Sequence, residues 1–228
     1  GIRDRSGSRG LGDVYKRQVV EIEDSAFRYS NLTSVAIPNG ITTIKYCTFG
    51  GCPQLKEVKI PDSVTEIENY AFSDCSVLTS ITLPKTLKKL GGHVFENCTA
   101  LTEINIPNNI EVDETGSPFA GCTNLSTILF DADITKIPDY LFSNCPGFTE
   151  FVVPDTVTVI GMYAFSGASN LVAVKLPDSV IEIKQYAFDG CADLTSIRLP
   201  KYLERLGQKA FGNCMALTEI NIPMNLVE

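Results

Sequence analysis

The fold is decided by the stretch VTEIENYAFSDCSVLTSITLP, residues 64–84, because close copies of it fill most of the chain. Near its end, Ile81 and Leu83 are two residues apart, which is the spacing of a β-strand that buries one face. Pro84 follows directly, and a proline has no N–H with which to continue a strand ladder. The stretch therefore predicts a short strand that ends at Leu83.

Earlier in the same stretch the apolar spacing changes from two to three. Phe72, Cys75 and Leu78 follow one another at this interval, which favours a helical turn over a strand. Each copy is thus predicted to hold a short strand, a short helical turn and extended segments, joined by turns.

The phenylalanine of this stretch recurs along the chain at intervals of 22 to 24 residues. We number the repeats, or rungs, from 1 to 9 by these residues: Phe27, Phe49, Phe72, Phe95, Phe119, Phe142, Phe165, Phe188 and Phe211. A unit of this length cannot bury its own apolar face and is stable only when copies stack. The sequence therefore predicts an α/β repeat solenoid of about nine 23-residue rungs, in which the strands form a parallel sheet.

The strands present two apolar columns, represented by Ile81 and Leu83 in rung 3, and the residues before and between these columns point to the opposite face. A ligand would contact this outward face. The outward residues that we select as candidate ligand-binding residues are Glu57, Lys59, Glu103, Asn105, Leu129, Glu150, Val152, Ala173, Lys175 and Arg198.

Three of these candidates are apolar, in rungs 5 to 7. Leu129, Val152 and Ala173 are expected to lie side by side, and an apolar strip with a polar rim is typical of a protein-binding surface. The alternative is that they only favour strand formation. Rung 4 carries one extra residue and an acidic stretch at 113–116, and insertions in repeat arrays often form loops on the binding face. In rung 5, Asp131 replaces the proline that follows the strand in the other eight rungs.

The repeated pattern I-x-x-x-A-F-x-x-C-x-x-L-x-x-I-x-I-P resembles the leucine-rich repeats of the BspA-like bacterial surface proteins, and it extends over residues 19–228. The resemblance implies a right-handed superhelix with parallel strands on its concave face. It also implies a cell-surface or secreted location and adhesion to host proteins or to other cells.

Residues 1–18 contain no copy of the pattern, and they hold five Lys or Arg against two acidic residues. Residues 13–18, DVYKRQ, are the direct translation of a transposon-type sequencing adapter. We therefore predict that 1–18 is a non-native segment, derived from an adapter or from another cloning sequence. The array at 19–228 starts and stops within a repeat, so its end rungs offer surfaces for end-to-end self-association.

Composition excludes several classes of function. The chain has 19 Lys or Arg and 27 Asp or Glu, net −8, with the basic residues scattered singly, which argues against nucleic-acid binding. No apolar run approaches the ~20 residues of a membrane span. His93 is the only histidine and takes the place of a tyrosine in other rungs, so the sequence offers no catalytic or metal-binding constellation. The prediction is a protein that is not an enzyme and binds no cofactor.

Seven of the eight cysteines occupy one repeat position: Cys52, Cys75, Cys98, Cys122, Cys145, Cys191 and Cys214. Ala168 fills the same position in rung 7. Because identical side chains in a stack point the same way and not toward each other, we predict a buried ladder of reduced thiols. The alternatives are a disulfide or a metal site.

Two functions follow from these patterns. The first is a protein-binding or adhesion module that recognises a host or other cell-surface protein, for example an extracellular matrix or plasma protein. The second is a passive structural spacer within a larger surface protein. The varied outward pairs favour the first, because a spacer would show nearly identical outward residues in every rung.

Overall fold

The computed structural model describes residues 19–224 and 226, and the predicted non-native segment 1–18 lies outside them. Sixteen short strands alternate between two positions of each rung. The first strands of rungs 1 to 8 are β1 (Ser34–Ala36), β3 (Glu57–Lys59), β5 (Ser80–Ile81), β7 (Glu103–Ile106), β9 (Thr127–Phe130), β11 (Glu150–Val152), β13 (Ala173–Lys175) and β15 (Ser196–Ile197). The second strands are β2 (Thr43–Ile44), β4 (Glu66–Ile67), β6 (Lys89–Leu90), β8 (Glu111–Val112), β10 (Lys136–Ile137), β12 (Val159–Ile160), β14 (Glu182–Ile183) and β16 (Arg205–Leu206).

All strand pairs are parallel and join equivalent positions of successive rungs, as the repeat predicts. Ile104 lies opposite Ile81, and Ile197 lies opposite Val174. Rung 9 contributes a single bridge, between Ile220 and Ile197. The parallel-strand solenoid with stacked coils is thereby confirmed, and its outward face of odd-numbered strands is the face predicted to bind a ligand. We call it the odd-strand face.

The predicted helical turns are not found among the described residues. The segment around each phenylalanine forms hydrogen-bonded turns instead, with two residues in the left-handed region: in rung 3, Tyr70 has φ of 60° and Asp74 has φ of 57°. An α-helix needs φ near −60° at every residue, so it cannot pass through these positions. The backbone bonds run between rungs, as when the Phe72 N–H donates to the Val94 carbonyl at 2.9 Å.

The core consists of columns in which equivalent side chains of successive rungs stack on one another. Phe72 and Phe95 lie parallel with ring centroids 5.6 Å apart, and both are fully buried. Each ladder cysteine is also stacked here, and the Cys98 thiol donates to the Phe72 carbonyl at 3.2 Å. The repeated spacing thus places the phenylalanine rings in one column and the thiol donors of seven rungs in another.

The strand ladders are interrupted between the coil at 111–130 and the coil at 136–152, a boundary that we call the seam. β8 does not pair with β10, and β9 does not pair with β11. No Cα atom of either strand lies within 8 Å of a Cα atom of the strand across the seam. β3 and β5 are also unpaired, but their Cα atoms remain within 8 Å of each other.

A proline accounts for part of the seam. At equivalent places in other rungs, the residue after the second strand donates its N–H to the preceding rung, as Gly91 does to Ile67 and Gly161 to Ile137. Pro138 occupies this place at the seam and has no N–H to donate. The extra residue of rung 4 lies just before the seam on its other side.

The turns around the phenylalanine of each rung form an edge of the solenoid that we call the turn edge. Hydrogen bonds at this edge hold the two sides of the seam together. The Gly121 N–H donates to the Asn144 carbonyl at 3.0 Å. The Ser117 hydroxyl donates to the Leu141 carbonyl at 3.3 Å and accepts from the Phe119 N–H, so a side chain takes over a bond that backbone groups form elsewhere. The coils therefore stay joined at the turn edge while the strand faces separate.

Candidate functional site

Most of the predicted site residues are exposed on the odd-strand face. Their side chains belong to different sheets of that face, so the structure does not gather all ten into one site. It brings together three of them: Ala173, Lys175 and Arg198 line a shallow groove of about 610 Å³ with the segment 219–221. The binding role of the ten residues stays a prediction.

Charged side chains of this face form weak ion pairs at its two ends. The Lys59 Nζ lies 3.3 Å from the Glu57 carboxylate, with both side chains more than 60% exposed. Near the groove, Arg198 pairs with Asp178 at 3.1 Å. The backbone N–H of Lys201 and then the Arg198 guanidinium lower the pKa of Asp178. Exposed pairs of this kind contribute about 0–1 kcal/mol each, so these side chains can exchange their partners for a ligand.

Asn105 is held within the fold. Its Oδ1 accepts from the Leu83 N–H at 2.7 Å, and its Nδ2 donates to the Leu83 carbonyl at 2.8 Å. Asn221 in rung 9 does the same for Leu199. β5 and β15 end at the residue two before these leucines, so the amide continues the ladder where the backbone strand stops. The polar groups of Asn105 are therefore already occupied by the fold.

The apolar strip does not form as predicted. Ala173 lies opposite Glu150, and Val152 lies opposite Lys175, so Ala173 is one column away from the other two. Leu129 belongs to β9, which is not paired with β11. The outward direction of each side chain follows from the strand period, but the seam and the column offset separate the three residues.

Two members of the strip instead flank the seam. Leu129 is 49% exposed and Val152 is 65% exposed, one on each side of the gap between β9 and β11. The floor of the gap is aromatic. The Phe130 and Phe151 rings meet edge to face at 6.2 Å, and Phe148 and Phe151 do so at 5.1 Å. Rung 6 is the only rung with phenylalanine at the place of Leu78, so large side chains support the separated strands.

Hydrogen bonds hold the inserted stretch of rung 4 at the corner of the rung that follows the second strand, which we call the turn corner. The Thr115 N–H donates to the Asp113 carboxylate at 2.8 Å, and the Thr115 hydroxyl accepts from the Asn69 side chain, two rungs away, at 3.1 Å. A Cβ on Gly92 would lie 2.6 Å from the Thr115 hydroxyl. The stretch therefore crosses over rung 3 next to the second strands, and it does not reach the odd-strand face.

The opposite face, of even-numbered strands, carries a groove that sequence reasoning did not identify. It has a volume of about 460 Å³ and is lined by Asp139, Lys184 and Arg205 among others. The signal in the sequence is the glycine that recurs at one repeat position: a Cβ on Gly161 would lie 2.6 Å from the Asp139 N, and one on Gly207 would lie 2.2 Å from the Gln185 N. These glycines let the rungs approach closely and leave the surface concave.

The cysteine ladder is chemically quiet. Burial raises the pKa of Cys75 and of Cys145 to about 12, and it holds the pKa of Cys98 well above its usual range. The thiolate is the reactive and metal-binding form, so these thiols are poor nucleophiles and poor ligands near neutral pH. No group of three His, Cys, Asp or Glu side chains in the described part of the chain could hold a metal ion.

His93 continues the tyrosine column, as its position in the repeat predicts. Its ring stacks on Tyr70 with centroids 4.9 Å apart. Its Nδ1 is buried without a hydrogen bond, although the Glu96 carboxylate lies 3.4 Å away. Stacking on Tyr70 therefore holds the ring within the aromatic column.

Helices that could insert into a membrane are absent from the described ranges. No helix there is both long enough and apolar enough to cross a bilayer.

Comparison with known proteins agrees with this geometry. The family described as BspA type Leucine rich repeat region, in six copies, matches residues 20–149 and 135–228. No curated protein matches the chain significantly. Two matches thus cover nearly all of the array, and they overlap at residues 135–149, directly after the seam.

Solved structures share the fold. A leucine-rich repeat protein from Eubacterium ventriosum superposes with a TM-score of 0.58 at 23% identity, covering 86% of this chain and 56% of that one. The T. pallidum leucine-rich repeat protein superposes with a TM-score of 0.54 at 28% identity, covering 77% and 72%. The chain therefore spans just over half the length of the first of these relatives.

Proposed function

Because this chain belongs to the BspA-type leucine-rich repeat family, we propose that it is a non-catalytic protein-binding module of a bacterial cell-surface or secreted protein. It recognises a host or other cell-surface protein through the odd-strand face. The partner class includes extracellular matrix and plasma proteins.

The observation that carries the proposal is the outward surface of the odd-numbered strands. Its side chains differ from rung to rung, and most of them form no bond that the fold requires, with Asn105 and Asn221 as exceptions. Leu129 and Val152 are exposed there at 49% and 65%. Exposed apolar side chains within a polar surround favour association with a protein.

The test is a binding screen of the array against extracellular matrix and plasma proteins. The double variant Leu129→Asp, Val152→Asp places two carboxylates on the exposed surface and is expected to keep the melting curve while losing saturable binding. The matched control is Ala36→Asp, Thr82→Asp, which adds the same charge at exposed positions of the same outward column in rungs 1 and 3. Equal loss in both variants would contradict a localised site.

The second candidate is a passive spacer. Regular stacking of the phenylalanine column, with centroids 5.2 to 5.6 Å apart in most rungs, favours it because such stacking suits a stiff rod. A well-folded array that binds none of the screened proteins would support the spacer over the binding module.

A further inference from the structure

The seam leaves two strand edges free on the odd-strand face. β9 pairs only with β7, and β11 pairs only with β13. A strand edge presents N–H and C=O groups that can pair with another chain. In β11 the N–H of Val153 points away from the gap, to the Lys175 carbonyl at 3.0 Å, so the alternate residues Glu150 and Val152 turn their backbone groups toward it.

The gap between these edges is wider than one strand spacing. No Cα atoms of β9 and β11 approach within 8 Å, whereas paired strands lie about 4.7–4.9 Å apart. One additional strand paired with both edges needs two spacings, about 9.5 Å. The Phe130 and Phe151 rings, in contact across the gap at 6.2 Å, and Phe148 beside them form its aromatic floor.

A comparison with rungs 3 and 4 shows what the seam lacks. There the Asn105 amide bonds both backbone groups of Leu83, 22 residues earlier. The residue at the same place across the seam is Val152, and its counterpart is Phe130. A valine side chain has no donor or acceptor, so neither backbone nor side chain satisfies the Phe130 N–H from that side.

The side chains around the gap determine which kind of peptide can bind there. Leu129 and Val152 offer apolar contacts on the outward side. The same two rungs hold five carboxylates, of which Asp139 pairs with Lys136 and Lys184; the other four are Asp131, Asp133, Glu150 and Asp155. Within the described part of the chain, none of the four forms an ion pair within 4.0 Å with a Lys or Arg. Their charge complements basic residues on a ligand.

We propose that the gap between β9 and β11 binds a cationic, extended peptide segment of a protein partner, which adds as a strand paired with both edges. Its backbone meets the Phe130, Glu150 and Val152 backbone groups, its apolar side chains cover Leu129 and Val152, and its basic residues face the carboxylates. This mode of recognition, strand addition with side-chain selection, rests on the proposed protein-binding function and specifies how it is performed.

The test uses the whole chain and a labelled probe peptide, acetyl-Lys-Val-Thr-Val-Thr-Val-Lys-amide, in a fluorescence anisotropy titration. The expected result is saturable binding that weakens at least about tenfold in Val152→Pro, because proline removes the N–H that Val152 turns toward the gap, and no strand in the described part of the fold pairs with that edge of β11. The matched control is Ala36→Pro, in the same column of rung 1: the Ile37 N–H points to β3, so the Ala36 N–H points the other way, and among the described strands β1 pairs only with β3. It is expected to bind like the parent.

Two further peptides test the charge of the peptide and its backbone hydrogen bonds separately. Glu in place of both Lys residues is expected to abolish binding through repulsion, and N-methylation of the three valines is expected to abolish it by removing backbone donors. Absence of saturable binding by the probe, or equal binding of the N-methylated peptide, would overturn strand addition. If Leu129→Asp, Val152→Asp stops a protein partner from binding while Val152→Pro does not, the protein-binding function stands and strand addition fails.

Discussion

Raising the pH is expected to destabilise the array through its buried cysteines. Burial raises the pKa of Cys75 to about 12 in the folded chain, whereas a cysteine in an unfolded chain titrates near ~8.5. Between these two values the folded state keeps a proton that the unfolded state releases. The stabilising contribution of the buried thiol is therefore complete below pH ~8.5 and is lost as the pH rises toward the folded pKa.

The size of this pH effect follows from the linkage between proton binding and folding. Each such thiol lowers the free energy of unfolding by about 1.4 kcal/mol per pH unit across this window. Cys145 has a pKa near the same value, and burial also raises the pKa of Cys98, Cys122 and Cys191. Five thiols acting together would lower stability by roughly 7 kcal/mol per pH unit, which is comparable to the total stability of many domains.

The assay is urea unfolding of the parent and of Cys75→Ala at several pH values from about 7 to about 10.5, a range that spans the unfolded-state pKa. Alanine is a matched replacement because Ala168 fills the same position in rung 7. Lysine and tyrosine titration affects both proteins alike. The difference in unfolding free energy is expected to be constant below pH ~8.5 and then to move in favour of the variant by about 1.4 kcal/mol per pH unit. A difference that stays constant up to pH ~10.5 would refute the reasoning.

Three further changes test the packing of the rungs. Phe72→Ala removes a fully buried ring and is expected to lower the free energy of unfolding by about 3–5 kcal/mol, measured by urea denaturation. Gly161→Ala places a Cβ 2.6 Å from the Asp139 N; since backbone must move to relieve this, a lower melting temperature is expected, and an unchanged one would show that the rungs can separate there. Asn105→Leu removes both bonds to Leu83, at a cost of about 1–3 kcal/mol, and hydrogen exchange should show faster exchange of the Leu83 amide.

The inward columns were predictable from sequence because burial alone decides them. Ile81 and Leu83 are 5% and 1% exposed, as their two-residue spacing indicates. The absence of the helical turn was not predictable from the spacing of the apolar residues. A three-residue interval suits both a helix and a single turn with a hydrogen bond from residue i to i+3. What excludes the helix is the left-handed backbone of Tyr70 and Asp74, and few non-glycine residues adopt that conformation.

The seam is only partly visible in the sequence. Asp131 and the extra residue of rung 4 mark the irregular region, but the inserted stretch lies at the turn corner and does not form the predicted loop on the binding face. The missing donor at Pro138 has an effect only when another strand would have used it, and that strand, β8, starts 25 residues before β10, at Glu111 against Lys136. The odd-strand face of the candidate site was therefore predictable, whereas the separation of Leu129 from Val152 was not.

The seam also distinguishes the two candidate functions. In a stacked array each rung is stabilised mainly by its neighbours, so a boundary without strand pairing is the weakest interface of the rod. A spacer gains nothing from such a boundary, since uniform rungs would be stiffer. Pro138 lacks the backbone donor that other rungs use at this place, and Phe148 puts a ring where the other rungs carry leucine. Because both act on one boundary, beside the free strand edges and Leu129, their combined effect favours a binding role for this part of the array over a purely mechanical one.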